Sequence, residues 1–153
     1  VTDGDGDAER EHRRAAAMAV ERELSVLFSR ARSLSMSLAA QVHPGLDAAS
    51  YALLLHVADV GSARAAEVVD RTGLDKSTIS RQLARLVELG LVERAQDTSD
   101  GRARIVRLTE DGEHRLDQVR TERRKKLRRK LTTWSTDDLH TLSTVLSRLN
   151  EDL

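Results

Sequence analysis

Apolar residues recur at alternating steps of four and three through Val20, Leu24, Leu27, Ala31, Leu34 and Leu38. That spacing keeps one stripe of a helix turned toward a neighbouring helix. Phe28 and Val42 widen the stripe. The pattern predicts one long helix from about Ala8 to Val42, closed at His43-Pro44-Gly45, because proline disfavours helical geometry in the residue before it. A second helix is expected from Asp47 to Val60, with Leu53, Leu54, Val57 and Val60 inward and Gly61-Ser62 at its end. Toward the far end, Leu116, Val119, Leu127 and Leu131 mark a helix over 110–131, and Thr132-Thr133-Trp134 breaks it. Leu139, Leu142, Leu146, Leu149 and Leu153 then repeat the three-four step, behind an approximate capping box of Ser135 and Asp138. Both ends of the chain therefore carry leucine seams.

The middle of the chain changes rhythm. Residues 65–72 predict a short helix, and Gly73 a tight turn. Ile79, Leu83, Leu86 and Val87 then recur at helical spacing, with Asp75 as N-cap and Gly90 as C-cap. The opposite face of this helix carries Lys76, Ser77, Thr78, Ser80, Arg81 and Arg85. Two short helices joined at a glycine, the second with a polar and arginine-bearing face, describe a helix-turn-helix. Arginine can donate twice to guanine, and hydroxyls can reach bases or phosphates. Two strands flanking the polar stretch 96–101, with its Asp-Gly turn signal, predict a β-hairpin. Thr109 is the expected cap of the helix after it.

Composition narrows the class. The 153 residues suit a single domain, and with aromatics at 2% its core must be aliphatic. The absence of cysteine excludes a disulfide framework, a thiol switch, a cysteine nucleophile and a thiolate metal site. Formal net charge is zero, but the charge is unevenly spread. Between Arg71 and Arg107, eight basic residues face five acidic ones, a balance of +3. Between Arg120 and Lys130, eight bases face one acid, a balance of +7. This run is open to three readings: attraction of DNA phosphate or an anionic effector, pairing with the acidic start of the chain (Asp3, Asp5, Asp7, Glu9, Glu11), or a solvated face. Gly4-x-Gly6 is no phosphate loop, since no strand precedes it and its neighbours are acidic. The five histidines form no H-x-x-H or H-E-x-x-H pair, so neither a metal nor a cofactor is expected. No apolar run approaches a membrane span, and the acidic start lacks a signal-peptide pattern; a cytoplasmic protein is the expectation.

Gly90-Leu91-Val92-Glu93-Arg94, then Asp100-Gly101-Arg102-Ala103, then Val106-x-Leu108-Thr109-x-x-Gly112 resemble the winged helix-turn-helix of the MarR family of bacterial transcription regulators. The resemblance runs from about Ala16 to Leu153. It implies a mainly helical chain with a small β-hairpin wing, ordered helix, helix, optional strand, helix, helix, strand, strand, helix, helix. It further implies a helical dimerisation region over 1–46 and 113–153 around a DNA-binding lobe over 47–112. Arg102 would enter the minor groove, with Arg104 as a second wing contact and Asp100 as a brace. An effector pocket would border Arg32, Met36, Tyr51 and His56. The family's usual serine or threonine cap is missing or shifted at Ala63-Arg64-Ala65. The expected function is sequence-specific binding of double-stranded DNA by a homodimer at a pseudo-palindromic operator. Repression is expected over activation, since a dimer covering a promoter blocks polymerase without a special surface, and a small molecule would release it. The alternative is a winged helix used for protein interaction or non-specific DNA packaging. No convergent acid, base or nucleophile set supports an enzyme.

Overall fold

The computed structural model describes residues 3–97 and 104–152. Among the described residues, six helices and three short strands follow one another: α1 (Asp3–Val42), α2 (Ala48–Val60), β1 (Ser62–Arg64), α3 (Ala65–Thr72), α4 (Lys76–Glu88), β2 (Val92–Gln96), β3 (Arg104–Leu108), α5 (Glu110–Leu131) and α6 (Thr136–Glu151). The chain forms two compact units, residues 1–113 and 114–153. Among the described residues, no helix is long and apolar enough to cross a membrane.

In the first unit, α4 packs against both α2 and α3, and the three helices pack on a three-stranded antiparallel sheet of order β1-β3-β2. Leu54, Val57, Val68, Ile79, Leu86, Leu91 and Val92 are its buried centre. Burying each such aliphatic side chain contributes roughly 1.5–3 kcal/mol. The long α1 spans about 60 Å at the usual helical rise. Of its apolar residues only Leu38, Ala39 and Val42, in the last turns, are buried, while Val20 and Leu27 remain more than half exposed.

Local chemistry sets the element ends. The Asp47 carboxylate accepts from the Ser50 amide at 2.8 Å and from its buried hydroxyl at 2.9 Å, so Asp47 caps α2 and is not its first helical residue. Gly73, with φ of 65°, ends α3, and its N–H donates to the Val69 carbonyl. Leu89 is the C-cap of α4, which places Gly90 one residue further on than the sequence suggests. There Gly90, at φ of 70°, donates to the Val87 carbonyl while Leu91 donates to that of Leu86. This is a Schellman motif, and its two apolar partners, Leu86 and Leu91, are both fully buried.

Two inward assignments need correcting. Val60, in the last turn of α2, is 43% exposed, and Val87, at the edge of the α4 stripe, is 37% exposed. The family resemblance leaves strand β1 optional. It pairs with β3, Ala63 opposite Val106, and Ala63 is its single buried residue. A three-residue strand with one inward alanine has no periodicity to read.

In the second unit, Ser135 caps α6, accepting from the Asp138 amide at 3.1 Å. No residue of α6 is buried. Leu142, Val145 and Leu146 lie exposed along it, and Trp134 sits exposed just before it.

Candidate nucleic-acid interface

Helices α3 and α4 meet through the left-handed turn at Gly73. Ile79, Leu83 and Leu86 hold α4 down, which leaves Lys76, Ser77, Ser80 and Arg81 exposed and Thr78 half-buried beside them. This outer face is internally ordered. Asp75 accepts from the Thr78 amide at 2.9 Å, the Thr78 hydroxyl at 2.6 Å and the Ser77 hydroxyl at 2.5 Å. Arg81 Nη2 in turn donates to Thr78 Oγ1 at 3.3 Å. The Ser77 and Thr78 hydroxyl donors, with the Thr78 amide, hold the Asp75 carboxyl far below the usual carboxylate range. The sequence identifies Asp75 as a cap but carries no sign that it fixes two neighbouring hydroxyls.

Arg85 stands apart from the rest of that face. It is half-buried, its Nη1 pairs with Glu88 at 2.7 Å, and its Nη2 donates to the Gly45 carbonyl at 3.2 Å. A Cβ on Gly45 would press against that same guanidinium, so a larger residue there would displace the Arg85 side chain. Arg85 thereby ties α4 to the α1–α2 corner.

The hairpin has its own fastenings. Glu93 and Arg107 face each other in register across β2 and β3 and pair at 2.7 Å. Arg64, the N-cap of α3, donates its backbone N–H to the Glu67 carboxylate at 3.0 Å, while no side chain among the described residues caps the first turn, as the missing serine or threonine implies. Its guanidinium pairs with the largely buried Asp97 at the end of β2, donating from Nε at 2.9 Å and also from Nη2. This brace joins residues 33 positions apart, and no local pattern in the sequence announces it. The expected wing residues Arg102 and Asp100 lie outside the described residues. Arg104 is exposed on β3, opposite Gln96.

At the base of the hairpin, Thr109 donates its hydroxyl to the Gly90 carbonyl at 2.6 Å and accepts the Gly112 amide at 3.0 Å. Its amide donates to the Leu91 carbonyl. A Cβ on Gly112 would overlap that carbonyl, so glycine is required where α5 leaves the sheet.

A cavity of about 290 Å³ opens between α3, α4 and β3. Ala65, Ala66, Val69, Ile79, Leu83 and Val106 give it an apolar wall, and Lys76, Ser80, Arg94 and Arg104 add polar groups. None of the four residues expected at an effector pocket lines it. Arg32 and Met36 are exposed on α1, Tyr51 is buried in α2, and His56 is half-buried there. In the second unit, residues 121–130 are exposed all round α5, and within this basic run Lys125 pairs with Glu122 at 2.9 Å.

Two helices joined at a left-handed glycine, backed by a three-stranded sheet with a hairpin, define a winged helix-turn-helix protein. Residues 45–103 match the family model described as MarR family. The HTH-type transcriptional regulator YxaD of Bacillus subtilis (strain 168) is 33% identical over 132 residues, covering 86% of this chain and 90% of its own length. A MarR family protein from Bacillus stearothermophilus superposes with a TM-score of 0.78 at 19% identity, over 91% of this chain and 96% of its own. A mutant MarR from E. coli complexed with operator DNA gives 0.63 at 24% identity, over 88% of this chain and 95% of its own. The chain belongs to the MarR family and is a DNA-binding transcriptional regulator.

Proposed function

We propose that the protein is a homodimeric repressor that reads a pseudo-palindromic operator with α4. The observation that carries this reading is the outer face of α4. Lys76, Ser77, Ser80 and Arg81 stand exposed on a helix whose other side is locked into the core, and Asp75 fixes the hydroxyls. Arg81 is assigned to guanine, where one bidentate contact is worth about 1–3 kcal/mol of discrimination. Arg85, held by Glu88 and Gly45, serves the site by bracing α4. Arg102 and Arg104 are the wing contacts, with Asp100 as the brace of the wing tip.

The homodimer is supported by the exposed seams. Val20, Leu27 and Leu34 of α1, and Leu142, Val145 and Leu146 of α6, leave apolar stripes in water that a second copy would cover. Two copies related by a two-fold axis match a two-fold site, with half-site centres one helical turn, ~10 bp, apart. Repression follows from occupancy, since a dimer lying over a promoter excludes polymerase. A small molecule bordered by Arg32, Met36, Tyr51 and His56 would release the operator by favouring a different spacing of the two DNA-binding lobes.

Sedimentation of the protein alone and with duplex DNA tests this reading. The expected result is a dimer in both, with one dimer per duplex and affinity that falls steeply with salt as counterions are released. A monomer that binds DNA without sequence preference would instead support the packaging alternative.

A further inference from the structure

The hydroxyls of α4 have a fixed hydrogen-bond polarity. A carboxylate accepts hydrogen bonds and donates none, and a hydroxyl has one proton. Asp75 takes that proton from Ser77 at 2.5 Å and from Thr78 at 2.6 Å. The same donors keep Asp75 ionised at neutral pH. Each oxygen is therefore left with lone pairs only. The Thr78 oxygen already receives Arg81 Nη2 at 3.3 Å. Among the described residues no donor is directed at the oxygen of Ser77, which is exposed.

An oxygen that can only accept discriminates among the groups DNA offers. Phosphate oxygens accept and do not donate. In the major groove, guanine N7 and O6 and thymine O4 also accept, whereas adenine N6 and cytosine N4 donate. We propose that Ser77, with its proton held by Asp75, selects a base carrying an exocyclic amino group, adenine or cytosine, and does not contact phosphate. Arg81, a residue of donors only, reads an acceptor base on the same helix. The two side chains thus read opposite halves of the major-groove code. This inference deepens the assignment of α4 as the helix that enters the groove and rests on it.

The test uses the duplex that selection from random DNA recovers with the wild-type chain. In each half-site, adenines are replaced one at a time by purine and cytosines by 4-deoxy analogues, so that one amino group is deleted per duplex. One deletion is expected to weaken wild-type binding by about tenfold, within the range for a lost base contact. The same deletion should leave Ser77→Ala unaffected, because its partner is already gone. Asp75→Gly keeps most of the helix cap, since glycine is itself a favoured N-cap residue. It removes the Oδ1 atom that takes the Ser77 proton, so that hydroxyl can donate as well as accept, and the amino-group dependence should weaken with little loss of thermal stability. If a symmetric site is recovered and no amino deletion that weakens wild type is silent in Ser77→Ala, the polarity proposal is overturned while the recognition-helix reading stands. Undiminished dependence in a folded Asp75→Gly would also overturn it. If Asp75→Gly does not fold, the Ser77→Ala comparison decides alone. If no site is recovered, the recognition-helix reading fails and the proposal with it.

Discussion

Helices α4 and α6 have similar lengths, 13 and 16 residues, and both repeat leucine or isoleucine at three-four steps. Yet α4 buries Ile79, Leu83 and Leu86, whereas α6 buries nothing. The same periodicity has two outcomes because spacing creates an apolar face without naming what covers it. For α4 the cover is α2, α3 and β2 of its own lobe. For α6 and most of α1 the cover is assigned to a second copy. Truncating the two seams should therefore damage different things, stability for α4 and self-association for α6.

The largest effect is expected from Leu86→Ala. Its side chain is fully buried within the Schellman motif, so the loss should be about 2–5 kcal/mol in denaturant unfolding. Leu146→Ala, on the exposed seam, should weaken the dimer in sedimentation equilibrium and make the melting temperature depend more steeply on protein concentration. If Leu146→Ala leaves self-association untouched, the contrast between the helices breaks. Next in size is Gly112→Ala, which forces a methyl group into the Leu91 carbonyl and should cost roughly 1–3 kcal/mol by the same denaturation assay.

A smaller effect is expected at the cap of α2. Asp47→Ala should cost about 0.5–2 kcal/mol at neutral pH. The Ser50 amide holds the Asp47 carboxyl below its ordinary value, ahead of opposing desolvation. A carboxyl whose pKa is lower folded than unfolded stabilises the fold above its unfolded value, near 3.8, and loses that contribution as pH falls through the folded value. The melting gap between wild type and Asp47→Asn should thus hold from neutral pH to about 5 and narrow below about 4. A gap that widened on acidification would contradict the assignment. The smallest effect in denaturant unfolding is expected from Arg85→Ala, about 0–1 kcal/mol, because the Glu88 carboxylate it pairs with lies in solvent and its bond to Gly45 is long at 3.2 Å.

The limits of the sequence reading have physical causes. Residues 65–72 and 110–131 were legible to their last residue because a left-handed glycine, a threonine cap and a basic end punctuate them. Helix α1 begins earlier than the apolar pattern suggests, since its first turns carry no apolar stripe to read. Strand β1 was uncertain because its pairing is supplied by β3. Periodicity put Arg85 on the polar face of α4, but its bond to Gly45 spans 40 residues and belongs to tertiary structure. The Arg64–Asp97 brace was illegible for the same reason. On α4, residue types and spacing gave the face, and the direction of each hydroxyl proton became readable only once the Asp75 carboxylate was placed between Ser77 and Thr78.

Sequence selection from random duplex DNA, with wild type and Arg81→Ala compared at moderate salt, tests the central claim most directly. The account predicts that wild type enriches a two-fold symmetric site with half-site centres ~10 bp apart, and that Arg81→Ala loses preference at a guanine in each half. Enrichment of no defined site by the wild-type chain, or of the same guanines by Arg81→Ala, would contradict it.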